Sequence, residues 1–157
     1  MPQNALPRSR GRARSGRGGG TKTAAAKPAP AGGLRRDVFV VRKGQRGAGV
    51  HLIIDLHGAR RLNDIEHIES VLRRCADAAG ATLLHVHLHR FQPDGVSGVA
   101  VLAESHIAIH TWPEAGYAAL DVFMCGRTDP DRCVPILRAA FSAKRVDVNE
   151  LLRGRLG

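Results

Sequence analysis

From Val50 the chain alternates. Val50, Leu52, Ile54 and Leu56 fall on one side, and His51, Ile53, Asp55 and His57 on the other. That period of two predicts a half-buried strand, closed by Gly58. The period then lengthens: Ile65, Ile68, Leu72, Cys75 and Ala79 recur at helical spacing, so residues 64–79 read as an amphipathic helix. Asn63 or Asp64 supplies its N-cap, Glu66 its acidic first turn and Gly80 its end. Alternation returns over Thr82–Arg90, where Leu84, Val86 and Leu88 oppose His85, His87 and His89. A turn on Pro93, Asp94 and Gly95 follows. Gly98–Ala103 and His106–Thr111 are β-prone runs interrupted by Glu104–Ser105, then Pro113–Gly116 turns into a strand over Tyr117–Cys125. Asp129 and Pro130 open a second helix to about Phe141, and Val146–Val148 closes the sheet. A short apolar run, Val38–Val41, and a Gly-rich turn over Lys43–Gly49 precede all of this.

The order is β-α-β-β-β-β-α-β, an edge strand aside. Short turns between consecutive strands imply antiparallel pairing, so the expected fold is α+β: a two-layer sandwich with both helices on one face of a mainly antiparallel sheet. The opposite face carries histidines and few large apolar groups. A second layer, such as a second subunit, would cover it.

Charge divides the chain. Residues 1–36 hold nine Lys/Arg and no acid, whereas 37–157 hold fifteen against fourteen Asp/Glu. The net charge of +10 therefore belongs to an Arg/Gly/Ala/Pro-rich tail, too poor in apolar residues to offset its conformational entropy and expected to be disordered. Such a tail could meet nucleic acid or an anionic surface through charge alone, which makes a nucleic-acid-binding protein the reading from another class. The nearly neutral folded part, a single domain over 37–157, speaks against it. No apolar run is long enough to span a membrane, and no secretory h-region opens the chain. Cys75, Cys125 and Cys133 are an odd number without metal-binding spacing, which points to a reducing cytoplasm.

His85, His87 and His89 share one strand face, and with His51 and His57 they raise the question of a metal. No H-E-x-x-H or Cys/His cluster supports one, and histidines on a half-polar face more often line a pocket; no metal is expected.

The chemistry concentrates between Gly95 and Gly126. Glu104-Ser105-His106, then His110-Thr111-Trp112-Pro113-Glu114, then Phe123-Met124-Cys125-Gly126 form a specific series. On these motifs, and from Gly49-Val-His-Leu-Ile through His89-Arg-Phe to about Gly154, the chain resembles the prokaryotic S-adenosylmethionine decarboxylase family. The resemblance covers everything but the tail. It implies a proenzyme that cleaves itself between Glu104 and Ser105 into chains 1–104 and 105–157. Ser105 would become a pyruvoyl group, the sole cofactor, with no metal and no pyridoxal phosphate. That ketone would form a Schiff base with the substrate amine and accept electrons as carbon dioxide leaves.

The same resemblance assigns roles. His110 would be the processing base, a task suited to an imidazole titrating near neutrality. Ser97 would support processing, Cys125 would donate a proton to the substrate carbon, Phe91 and Trp112 would sandwich adenine, and Glu114 would hold the ribose hydroxyls. The plain alternatives are a strand histidine, a turn serine, a small buried thiol, a core phenylalanine and a turn-fixing tryptophan; core packing is also the reading for Cys75 and Cys133. Met124 departs from the threonine common at that place. The product would feed aminopropyl transfer to spermidine and other polyamines. Related members accept ornithine or arginine, the alternative substrates here. A sheet-to-sheet dimer, with sites at or near the subunit boundary, is implied too.

Overall fold

A computed structural model describes residues 39–155, so the whole of the basic segment 1–36, with Asp37, Val38 and residues 156–157, lies outside the described residues. Two short strands come first, β1 (Val40–Arg42) and β2 (Gln45–Gly47), paired antiparallel. The expected Gly-rich turn over Lys43–Gly49 is thus half of a hairpin. Arg42 ties that hairpin down through ion pairs to Asp131 and Glu150.

The alternating run is β3 (Gly49–His57), with Val50, Leu52, Ile54 and Leu56 buried and the intervening side chains half-buried on the opposite face. It leads into α1 (Ile65–Ala78). Asp64 caps the helix by accepting the His67 backbone N–H at 3.0 Å, and Ile68, Val71, Leu72, Cys75 and Ala76 turn to the sheet. Each fully buried leucine or isoleucine contributes roughly 1.5–3 kcal/mol, which outweighs the modest helix propensities of the β-branched residues. Gly80 ends the helix at φ +70°, where a side chain would be strained.

Strands β4 (Leu83–Arg90), β5 (Val96–Leu102), β6 (Ser105–Trp112) and β7 (Tyr117–Cys125) follow as an antiparallel meander. The second helix divides into a 3₁₀ turn, Pro130–Arg132, capped by Asp129, and α2 (Cys133–Ala140). β8 (Arg145–Arg153) pairs with β3 over nine residues. Its polar, exposed sequence had shown only Val146–Val148 as a strand. The main sheet has the order β4-β5-β6-β7-β3-β8, all antiparallel. Both helices contribute core residues against one face, with Phe141, Leu137, Ile107, Ile109 and Leu120 among the most deeply buried. The α+β two-layer architecture read from the sequence is the one observed.

One alternation fails. Leu84 does not join Val86 and Leu88 in the core but is 60% exposed, because the register slips between Leu83 and His85 and Leu83 turns inward instead. Gly98 sits opposite Leu88, where a Cβ would lie 2.2 Å from the His87 carbonyl oxygen; only glycine fits there.

Candidate active site

The face without helices presents every histidine except His67. Cross-strand register arranges them in rows: His89, Ser97 and His110 in one, Val101, His106, Phe123 and His51 in the next but one. Between the two rows stand His87, Val99, Ala108, Asp121 and Ile53. His51 Nε2 lies 3.0 Å from Asp121 Oδ1, and Arg153 donates to His51 Nδ1 at 3.1 Å. Because an arginine only donates, Nδ1 is the accepting nitrogen and Nε2 carries the proton toward Asp121. Asp121 and Arg153 did not stand out in the sequence, and His51 did so only among the histidines weighed for a metal, since no local spacing links the three. His85, His87 and His89 line exposed β4, and among the described residues no group of three or more His, Cys, Asp or Glu is arranged to hold a metal ion.

At one end of this face lies a groove of about 330 Å³ lined by Phe91, Ser97, His110, Thr111, Trp112 and Glu114. Five residues separated in the sequence reading thus meet here. Ser97 Oγ is 2.8 Å from His110 Nδ1, a bond set by the β5–β6 pairing of those two residues. Phe91 and Trp112 are 47% and 43% exposed, so the core reading of Phe91 does not hold. Trp112 also precedes the 3₁₀ turn Pro113–Ala115 that carries Glu114, and its ring lies 5.3 Å from Tyr117. Tyr117 in turn donates to Asp55, and that bond together with burial raises its phenol to about 12.

The groove floor is anchored. Thr111, the buried polar residue of the described chain, accepts the Val96 N–H and donates to the Leu62 carbonyl, both at 2.8 Å. Asn63 Oδ1 accepts the Gly95 N–H at 3.1 Å, so the loop before α1 fixes the loop before β5.

Ser105 and Cys125 sit at the other end of the same strands. Ser105 begins β6 after a two-residue turn, at φ +157°, a region that side chains other than glycine's rarely enter. Its side chain hydrogen-bonds the Cys125 thiol. Burial pushes that thiol above the ordinary value, and the Ser105 bond pulls partly the other way. Across the ladder stands Gly49, where a Cβ would fall 2.9 Å from Cys125 Sγ; the missing side chain leaves the thiol its space. Cys75 and Cys133, by contrast, are wholly buried between the helices, each thiol directed at the other's carbonyl, and the Cys133 side chain, followed by burial, raises Cys75. A similar hollow beside the β1–β2 hairpin, lined by Arg42, Asp129 and Asp131, contains none of the candidate catalytic or substrate-binding residues.

Within one chain the two ends do not touch. His110 lies five positions after Ser105 in β6, which at strand rise is about 17 Å.

Comparison with known proteins covers the same part of the chain. The S-adenosylmethionine decarboxylase family profile matches residues 50–154. An S-adenosylmethionine decarboxylase proenzyme of Thermomicrobium roseum is 41% identical over 113 residues, covering 71% of this chain and 97% of that one. The proenzyme of Carboxydothermus hydrogenoformans is 49% identical over 109 residues, 68% of this chain and 86% of its own. The crystal structure of the adenosylmethionine decarboxylase from Aquifex aeolicus VF5 superposes with a TM-score of 0.63 at 37% identity, covering 69% of this chain and 92% of that one.

Proposed function

This chain belongs to the S-adenosylmethionine decarboxylase family of enzymes, and on that premise we propose that it is a proenzyme activated by its own Ser105. The observation that carries the proposal is the Ser105–Cys125 pair: a strained serine in a turn, hydrogen-bonded to a half-buried thiol. The position suits the group it would hold, since the precursor hydroxyl lies at a turn beside a proton donor.

Ser105 Oγ attacks the Glu104 carbonyl carbon; the C–N bond breaks, the nitrogen takes up a proton, and an ester replaces the amide. Removal of the Cα proton of residue 105 forms a Cα–Cβ double bond and expels the Glu104 carboxylate. Water then displaces the nitrogen as ammonia and leaves a ketone on residue 105, heading the chain 105–157. That ketone supplies the electron sink for loss of carbon dioxide from an amine-bearing substrate. Cys125, held as a thiol by burial, returns a proton to the substrate carbon.

His110 is the base for the Cα proton, with Ser97 orienting its ring, and both must come from a second subunit. Two sheets packed face to face about a two-fold axis near the middle of β6 set Ser105 of one protomer against His110 of its partner, and the reverse. Small Ala108 and half-buried Val99 at that midpoint permit close approach. The groove then delivers substrate to the partner's ketone. Phe91 and Trp112 suit a flat adenine, Glu114 suits ribose hydroxyls, and the aromatic pair favours S-adenosylmethionine over ornithine or arginine. Decarboxylated S-adenosylmethionine is the product, a donor for spermidine synthesis. Among the described residues no helix is long and apolar enough to cross a membrane, and the unpaired cysteines fit the cytoplasm.

Intact-mass analysis under denaturing conditions tests the proposal. Two species are expected, 1–104 and a pyruvoyl-blocked 105–157, with Ser105→Ala giving one unbroken, inactive chain. An unbroken wild-type chain that still releases carbon dioxide would overturn it.

A further inference from the structure

The turn that would be cut is poorly suited to its own geometry. Leu102 pairs with Ser105, so Ala103 and Glu104 alone make the hairpin turn. Tight two-residue hairpins favour asparagine or glycine in left-handed conformations, and neither Ala103 nor Glu104 adopts a positive φ. The unfavourable dihedral passes to Ser105 instead, at +157°. An external support is therefore needed.

Thr82 provides it twice. Its backbone N–H donates to Glu104 Oε2 at 2.9 Å, and its carbonyl accepts the Ala103 N–H at 2.9 Å. Thr82 precedes β4, so this N–H lies outside the strand's own pairing. The segment leading to it is itself fixed: Gly80 and Ala81 donate to Asp77 and Ala76 at 2.9 Å, and Asp129 donates to the Ala79 carbonyl at 3.0 Å. The scissile turn is thus braced against the end of α1 and the loop before α2.

We infer that the Glu104 side chain, by accepting the Thr82 N–H, is a positioning residue that holds the Glu104 carbonyl and Ser105 in the arrangement from which the chain cleaves itself. This rests on the self-processing reading above. The brace acts before the bond breaks, and it keeps the new end of the 1–104 chain at the same place afterwards.

The test compares cleavage time courses of freshly synthesised wild type, Glu104→Ala and Glu104→Gln by intact mass. Loss of one charge-assisted hydrogen bond slows cleavage about tenfold in Glu104→Ala, whereas Glu104→Gln, whose amide oxygen still accepts, stays within about threefold of wild type. If Glu104→Ala folds poorly, Glu104→Asp, too short to reach Thr82, carries the same expectation. Melting temperatures in a Ser105→Ala background exclude a general loss of stability. Glu104→Ala, or Glu104→Asp where it stands in, cleaving at the wild-type rate overturns the inference, as does Glu104→Gln as slow as Glu104→Ala. A wild type that never cleaves overturns the self-processing reading instead.

Discussion

The two ends of β6 are built to opposite rules. At its start, Ser105 is strained, half-buried and in contact with a thiol whose protonation burial favours. At its other end, His110 and Trp112 are exposed and line a groove anchored by Thr111 and Asn63. On the proposed reading, one end would serve a single covalent event and the other repeated binding. Because both lie on one rigid strand, neither can bend to the other, and the proposed reaction needs a second copy to unite them.

The largest effect expected from breaking that division comes from mixing two inactive variants. Ser105→Ala and His110→Ala should each be inactive alone. Co-expressed, they form hybrid dimers with one intact site assembled from both subunits, so about a quarter of wild-type activity returns. Sites contained within single chains would give none. A smaller effect separates binding from maturation: Trp112→Ala should raise KM for S-adenosylmethionine about tenfold, roughly the worth of one stacking contact, while cleavage between Glu104 and Ser105 proceeds as before. A slowed cleavage would show that the groove is not confined to recognition.

The smallest effect concerns the thiol. Burial raises Cys125, and the Ser105 hydroxyl opposes this by favouring the thiolate. The neutral thiol therefore dominates at neutral pH, and alkylation of Cys125 should reach half its maximal rate above the pH of a free cysteine. The comparison uses uncleaved chains: in His110→Ala, which keeps the Ser105 hydroxyl, the midpoint should lie below that of the double variant Ser105→Ala/His110→Ala, where the opposing bond is gone. The sign for stability follows: the stabilisation from this raised group is present at neutral pH and is lost as pH rises through its folded value. A midpoint no lower in the single variant would deny the Ser105–Cys125 contact.

Much of this was legible in the sequence because β3, α1 and β7 carry clean periods over nine or more residues. The slip at Leu84 was not, since alternation cannot reveal where a bulge reverses it. β8 was short in the sequence because Asp147, Asn149 and Glu150 occupy an exposed edge where polar residues cost little. Phe91, Trp112 and Glu114 were grouped around one substrate only through the family resemblance; the contact of Ser97 with His110 depends on β5–β6 register. The separation of Ser105 from His110 follows directly from five positions of strand, once both are known to lie in one. Thr82 left no signal at all, because it acts through its backbone, which every residue but proline possesses.

The strand order has a consequence for how such a protein can be made. A break between Glu104 and Ser105 would leave β3, β4 and β5 in one fragment and β6, β7 and β8 in the other, yet the sheet runs β4-β5-β6-β7-β3-β8. The fragments interleave and share three ladders, β5–β6, β7–β3 and β3–β8. They could not separate without dismantling the sheet, so a cleaved molecule would stay whole while it is folded. Once denatured, however, it would return only through an encounter between two chains, at a rate that falls with dilution. Folding before scission would spare the chain that encounter.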